Sequence, residues 1–212
     1  MRPVLRRLAV VTLAASLLGL GACASTPSRF YILNPLSASE VIPATAAAQG
    51  PVIAVGPVTV PKYLDRPQIV TRASRNQLTL GEFDRWAEPL PDNISRVLGE
   101  NLARLVPTDH ILLQTWPRPA TLDYQVTVEV LDFEGGLGGE GVLLALWSLL
   151  DGEERPLMTR RASLQTPVGG RDYEAMVQAL NHMLGTLSRD IAVAIQRLAS
   201  RAVTREAVAH LE

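Results

Sequence analysis

Residues 122–130 read LDYQVTVEV and hold the clearest alternation in the chain: Leu122, Tyr124, Val126, Val128 and Val130 point one way, Asp123, Gln125, Thr127 and Glu129 the other. A period of two with apolar residues on one side predicts a strand with one buried and one wet face. Residues 135–141 follow as GGLGGEG, then residues 142–150 as VLLALWSLL, apolar on both faces, as a central strand would be. Periodicity alone leaves a buried helix segment open for that nine-residue run. Gly136, Gly138 and Gly141 spell G-x-G-x-x-G, the form of a dinucleotide-binding turn. That turn must open a helix whose N-terminus meets the pyrophosphate, with an acidic residue about twenty positions on. Here the next segment is β-like and ends at the turn pair Asp151-Gly152, so the glycines predict a hairpin between antiparallel strands. No Lys-Ser or Lys-Thr follows, which excludes a Walker loop.

Working outward, residues 156–166 offer a further strand. Upstream, Phe30 to Leu33 form a short strand candidate stopped by Asn34-Pro35, and residues 37–50 (SASEVIPATAAAQG) read as a linker. Residues 52–60 (VIAVGPVTV) are β-prone, with Pro57 marking a bulge or an edge. Gln68 to Arg72 and Gln77 to Leu80 add short strands. Residues 91–106 change period: Ile94, Val97, Leu98, Leu102 and Leu105 share one helix face, Asp92 is the expected N-cap and Pro107 the stop. From Asp172 to Ala199, Met176, Leu180, Leu184, Leu187, Ile191, Ala194 and Leu198 line a long helix. Gly185 in its middle implies a packing contact or a slight bend.

The first residues carry the address. Residues 1–7 (MRPVLRR) hold three arginines, and residues 8–22 (LAVVTLAASLLGLGA) are uncharged and end in small residues, the build of an export signal. A spanning helix needs roughly 20 apolar residues, and this run is shorter. Leu20-Gly21-Ala22-Cys23 resembles the bacterial lipobox, and Cys23 is the only cysteine of the 212 residues. A lone cysteine closes no intrachain disulfide. The resemblance implies cleavage before Cys23 and acylation of its thiol and new amino end, giving a signal peptide over residues 1–22. Two alternatives remain at this level: an uncleaved anchor, and ordinary cleavage after Ala24, since Ala22-Cys23-Ala24 is also an A-x-A match. Ala24 is not the aspartate that keeps lipoproteins on the inner membrane, which favours the outer one.

Cleavage before Cys23 would leave 190 residues, enough for one domain with a substantial core. Arg2, Arg6 and Arg7 would go with the leader, leaving 17 basic against 21 acidic residues and a net charge near −4. That argues against a nucleic-acid binder. The three histidines, His110, His182 and His210, have no second histidine at metal-ligand spacing, and neither H-E-x-x-H nor G-x-S-x-G occurs. Asp109-His110 is the remaining catalytic candidate and reads more simply as a turn with a solvated histidine. Asn93-Ile94-Ser95 has the form of a glycosylation sequon at a helix start. Glu140, Asp151, Glu153 and Glu154 read as neighbouring solubilising loops rather than as a metal site. No catalytic residue, cofactor or metal ligand is expected.

Several stretches in order resemble the ABC-type transport auxiliary lipoproteins, whose best-known branch is PqiC-like. They are Phe30-Tyr31-Ile32-Leu33 after the cysteine, residues 52–62 (VIAVGPVTVPK) running into residues 63–70 (YLDRPQIV), Trp86-Ala87-Glu88-Pro89-Leu90 before the first helix, and the long strand into Phe133-Glu134-Gly135. One departure is Ala145-Leu146-Trp147, where the family leads one to expect an arginine before the tryptophan. The resemblance implies an α/β fold: a single-domain sandwich with a mixed, largely antiparallel sheet, packed by a short helix and a long C-terminal helix. It divides the chain into residues 1–22, a lipidated N-terminus with short strand and linker over 23–50, and the auxiliary lipoprotein domain over 51–205. It implies a non-enzymatic outer-membrane lipoprotein facing the periplasm, held in the bilayer through Cys23. Its implied partners are an MCE-class periplasmic protein and inner-membrane components of a lipid or solvent transport system, with self-association also suggested. Trp86, Trp116 and Trp147 are candidate interface anchors, though core positions explain most such residues. The alternative is a lipoprotein that carries lipid in its own cavity, which predicts an apolar pocket of several hundred Å³ between sheet and helices.

Overall fold

The computed structural model describes residues 26–37, 50–113 and 121–209, with only the backbone of residues 203–209. Along the chain run β1 (Arg29–Tyr31), β2 (Ile53–Thr59), β3 (Gln68–Ser74), β4 (Gln77–Trp86), α1 (Leu90–Leu105), β5 (Ile111–Leu113), β6 (Tyr124–Gly135), β7 (Glu140–Asp151), β8 (Pro156–Pro167) and α2 (Tyr173–Ala209).

The alternating stretch is the axis of the sheet. On one side β6 pairs antiparallel with β7, and β7 with β8, so VLLALWSLL is a central strand and not a helix. On its other side the first half of β6 holds β2 in parallel, with β5 beyond, while its last residue, Gly135, meets Thr71 of β3. The hairpin of β3 and β4, with β1 parallel to β4, continues from there. The sheet therefore forks: β5 and β2 flank one end of β6, and β3, β4 and β1 the other. This is the mixed α/β sheet that the strand pattern and the resemblance led one to expect, with its longest ladders antiparallel. The glycine turn is the β6–β7 hairpin loop, closed by Gly139 N–H to the Gly136 carbonyl at 3.0 Å, with Gly138 at φ 74°.

Both helices cover one face of this sheet, α1 over β2 and α2 over β6, β7 and β8, and they pack on each other. The apolar stripe of α1 is buried at Ile94, Val97, Leu98 and Leu102, in one core cluster with Val126, Val128, Phe133, Trp147, Leu180, Leu187 and Ile191. Apolar burial of this kind contributes about 1.5–3 kcal/mol per large side chain.

Several local expectations need correction. The N-cap of α1 is Pro89, with no side-chain capping bond, and Asp92 lies in the first turn instead. Proline at the helix start loses nothing there, because that N–H has no partner within the helix. The first strand is Arg29–Tyr31, not Phe30 to Leu33, because Leu33 turns inward to the helices. Gln125, expected on the wet face, is buried and donates Nε2–H to the Gly56 carbonyl at 2.9 Å, beside the shift of register at Pro57. Asp172 caps α2 by accepting the Ala175 N–H at 2.8 Å.

The segment after β1 lies between the helices. Leu33 and Leu36 are buried, and the Leu36 N–H donates to Asn101 Oδ1 at 2.7 Å. Asn101 Nδ2 donates to Ser188 Oγ at 2.9 Å, joining α1, α2 and the entering chain. Gly185 is a packing contact: a Cβ there would stand 2.6 Å from Leu36 Cδ2.

Candidate functional site at the anchored edge of the sheet

β1 is only three residues long, too short to hold an edge by ladder hydrogen bonds alone. Side chains make up the difference. Asp84, buried on β4, accepts Arg29 Nε at 2.8 Å and Nη2 at 2.9 Å, a bidentate pair, and also the Tyr31 hydroxyl at 2.9 Å. Burial, then the bond to Asp84, pushes the Tyr31 phenol up to about 12, so it stays a donor at neutral pH. The Tyr31 ring also leans on Tyr173 at the start of α2, centroids 6.2 Å apart. A pull on the chain before Arg29 thus meets β4 and, through Leu33 and Leu36, both helices.

Next to this clamp is a cleft of about 290 Å³ whose walls include Arg66, Pro67, Trp86, Glu88 and Pro89. Its two sides, YLDRPQIV and WAEPL, are joined by the Trp86 N–H to the Pro67 carbonyl at 2.7 Å, and Ala87 N–H reaches the Tyr31 carbonyl at 2.8 Å. Glu88 is held by Arg96 at 3.0 Å, while the buried Nε of Arg66 has no hydrogen-bond partner among the described residues. The lining of the cleft mixes the apolar Pro67, Trp86, Ala87 and Pro89 with two carboxylates, Asp65 and Glu88, and one guanidinium, Arg66. The cleft lies at the sheet edge. The space between sheet and helices, where a cargo cavity was the alternative, is lined by fully buried Leu98, Leu102, Phe133, Leu143, Leu149, Met176 and Leu180.

A second polar cluster sits where β3 meets β6. Glu134 is buried and accepts Arg72 Nε, while its Oε2 has no partner among the described residues. Tyr63 donates its hydroxyl to Asp132 at 3.1 Å alongside. Burial first, then repulsion from Asp132, hold the Glu134 carboxyl above its usual range, and Arg72 only partly offsets them. The folded protein therefore binds this proton more tightly than the unfolded chain. That contribution to stability is complete below the ordinary glutamate pKa of about 4.3 and is lost as pH rises through the raised value. Glu134→Gln keeps an acceptor for Arg72 and removes the ionisation. Its melting temperature, followed by circular dichroism, is expected to gain on wild type as pH rises from about 4 to neutral; a constant difference would show that this carboxyl titrates alike in the folded and unfolded chain.

The other residues singled out by sequence do not converge. Cys23, Trp116 and His210 lie outside the described residues. Trp86 and Trp147 are buried, so neither is an exposed interface anchor. Asp109, His110 and His182 are exposed. Asn93, the sequon asparagine, is fully buried and accepts Arg96 Nη2 at 3.0 Å. Glu140 is at the opposite end of the twelve-residue β7 from Asp151, Glu153 and Glu154, so the acidic loops are not neighbours. Asp151 instead organises its own turn, accepting the N–H groups of Glu153 and Arg155 at 2.9 and 3.0 Å. Among the described residues no group of three His, Cys, Asp or Glu is placed to hold a metal, and no helix is long and apolar enough to cross a membrane. Sequence reasoning missed Asp84, Arg29, Asn101 and Ser188; YLDRPQIV and WAEPL were noticed, but not that they face each other.

The described residues thus place a short strand, pinned to the sheet edge six residues after Cys23, beside a cleft rather than beside a set of reacting groups. The family model for the ABC-type transport auxiliary lipoprotein component matches residues 31–192, and the chain belongs to that family. It is 27% identical over 190 residues to the intermembrane transport lipoprotein PqiC of Escherichia coli K12, covering 89% of this chain and 97% of the relative; PqiC of Shigella flexneri matches equally. Two crystal structures share the fold. Protein XCC0632 from Xanthomonas campestris has a TM-score of 0.66 at 17% identity, covering 82% of this chain and 99% of that one. An uncharacterised protein has a TM-score of 0.65 at 22% identity, covering 80% and 99%. The protein is thus an ABC-type transport auxiliary lipoprotein by family and similar to PqiC, and these relatives are named as intermembrane transport lipoproteins.

Proposed function

We propose that the protein is a non-enzymatic subunit of an MCE/ABC-type intermembrane lipid or solvent transport system, anchored in the outer membrane by acyl chains on Cys23 and facing the periplasm, where it contributes to envelope integrity. Residues 1–22 are the signal peptide, residues 23–50 the tether with its first strand, and residues 51–205 the docking domain. The observation that carries this reading is the Asp84 clamp: six residues after Cys23 the chain is fastened by two side chains to the sheet edge. A module held so close to a bilayer stays at high effective concentration for a partner that arrives there. An MCE-class protein spanning the periplasm, together with its inner-membrane components, is that partner, and the YLDRPQIV–WAEPL cleft lies beside the tether. Affinity capture of the lipidated protein from detergent-solubilised membranes, followed by mass spectrometry, is expected to recover an MCE-domain protein. Recovery of no transport component would overturn the assignment.

A further inference from the structure

We infer that the end of the molecule carrying the β3–β4 hairpin rests on the bilayer, with Leu78, Leu80 and Leu137 entering the lipid interface. This rests on Cys23 being the site of lipid attachment.

The direction of the chain is the first reason. β1 runs parallel to β4 with Arg29 beside Asp84, so the residues before Arg29 leave toward Gln77, the start of β4 and the tip of the hairpin. β4 bulges between Leu80 and Arg85, so the span of the hairpin follows from its partner strand: from Gln68, opposite Arg85, to Ser74, opposite Gln77, is about 20 Å at ~3.3 Å per residue. The six residues from Cys23 to Arg29 reach at most about 20–22 Å. The acyl chains are therefore confined near the side of β4 that ends at the hairpin tip.

The second reason is what that end exposes. Residues 73–80 are exposed throughout, so the hairpin projects from the core as an arm. Leu78 and Leu80, two apart and on one face of it, are 36% and 44% exposed. β3 and β6 run parallel and meet at Thr71 and Gly135, so the β6–β7 loop lies at the same end, and its Leu137 is 38% exposed. Leucines on the strand arm and on the adjacent β6–β7 loop make a surface that gains by entering an acyl boundary, as the apolar face of an interfacial element does.

Charge supports the contact without directing it. Arg75 is exposed on the hairpin turn, and Arg171 lays its stem over Gly138, where a Cβ would stand 2.8 Å from its Cγ. Both can reach phosphate oxygens while their methylene stems remain in the apolar layer. Glu82, Glu140 and Asp172 are exposed at this end too, so burial of the leucines is what orients the domain. The far end also exposes Leu112, Leu113 and Leu157, but there the turn carries Asp151, Glu153 and Glu154 against the single Arg155, which pairs with Asp151 and Glu153, and the chain before Arg29 leads away from it.

The test uses the chain's lack of a second cysteine. An acylated Cys23 has no free thiol, so Leu80→Cys, Leu137→Cys and Glu154→Cys each take a single environment-sensitive fluorophore. The lipidated proteins are placed in phosphatidylethanolamine–phosphatidylglycerol vesicles with brominated acyl chains. Labels at positions 80 and 137 are expected to lose most of their emission relative to unbrominated vesicles, and the label at 154 to keep it. Quenching at 154, or at none of the three while the protein floats with the vesicles, overturns the inference. Failure of the wild-type chain to float would instead refute the attachment at Cys23. The same labels in Cys23→Ser chains, tagged with histidines before residue 23 and captured on nickel-chelating vesicles, would then decide the contact surface by the same pattern.

Discussion

Cys23→Ser is expected to move the protein from the membrane pellet to the soluble fraction, with its melting temperature unchanged. The substitution exchanges one sulfur for one oxygen, and the consequence is out of proportion because acylation needs the thiol. Each buried methylene holds a lipid anchor by about 0.8 kcal/mol, so a single chain binds reversibly while several on one residue do not let go. The core that sets the melting temperature is built from Leu33 onward. Fractionation of cells grown with labelled palmitate checks both halves: wild type carries label and sediments with outer-membrane fragments, and the serine chain does neither. A serine chain that still sediments there and still supports transport would remove the basis of the proposed function. The hairpin leucines do not substitute for the anchor, since three side chains bury far less than acyl tails.

Trp147→Ala is expected to be the most costly single change to the fold, destabilising by about 3–5 kcal/mol, the usual range for emptying a buried aromatic site. Trp147 is 2% exposed on the central strand β7, opposite Val128 of β6 and Arg160 of β8, under the cover of α2. For a domain of this size each kcal/mol lowers the melting temperature by about 2–4 °C. Thermal denaturation of the purified chain measures it. An interface tryptophan would behave in the opposite way, leaving the melting temperature alone and weakening capture of the partner. That second outcome would put Trp147 on the surface and contradict the described core.

The two residues show what patterns along a chain can carry. The expectation at Cys23 is read from sequence because an export and acylation signal would be recognised as an extended chain, so the information lies in a contiguous run. Trp147 is ambiguous by sequence because both a core and an interface favour a large aromatic ring; only its neighbours distinguish them. The glycine loop is the same case in reverse. Its letters fit a nucleotide site, but the flanking β periodicity already excluded the helix such a site needs. Where local rules failed, a tertiary contact had overridden them: Gln125 is polar yet buried because the Gly56 carbonyl receives it.

Sequence by itself determined β6 through its period of two, the helices through their period near three and a half, and the β6–β7 hairpin, since each is encoded within a few neighbouring residues. Tertiary structure alone decided how the sheet forks around β6, which strand clamps the tether, and which leucines share an end of the molecule. Arg29 and Asp84 are 55 positions apart, and Asn101 and Ser188 are 87 apart. Pairs at such separations leave no periodic trace, because the partner of a buried polar group is chosen by how the chain folds back on itself.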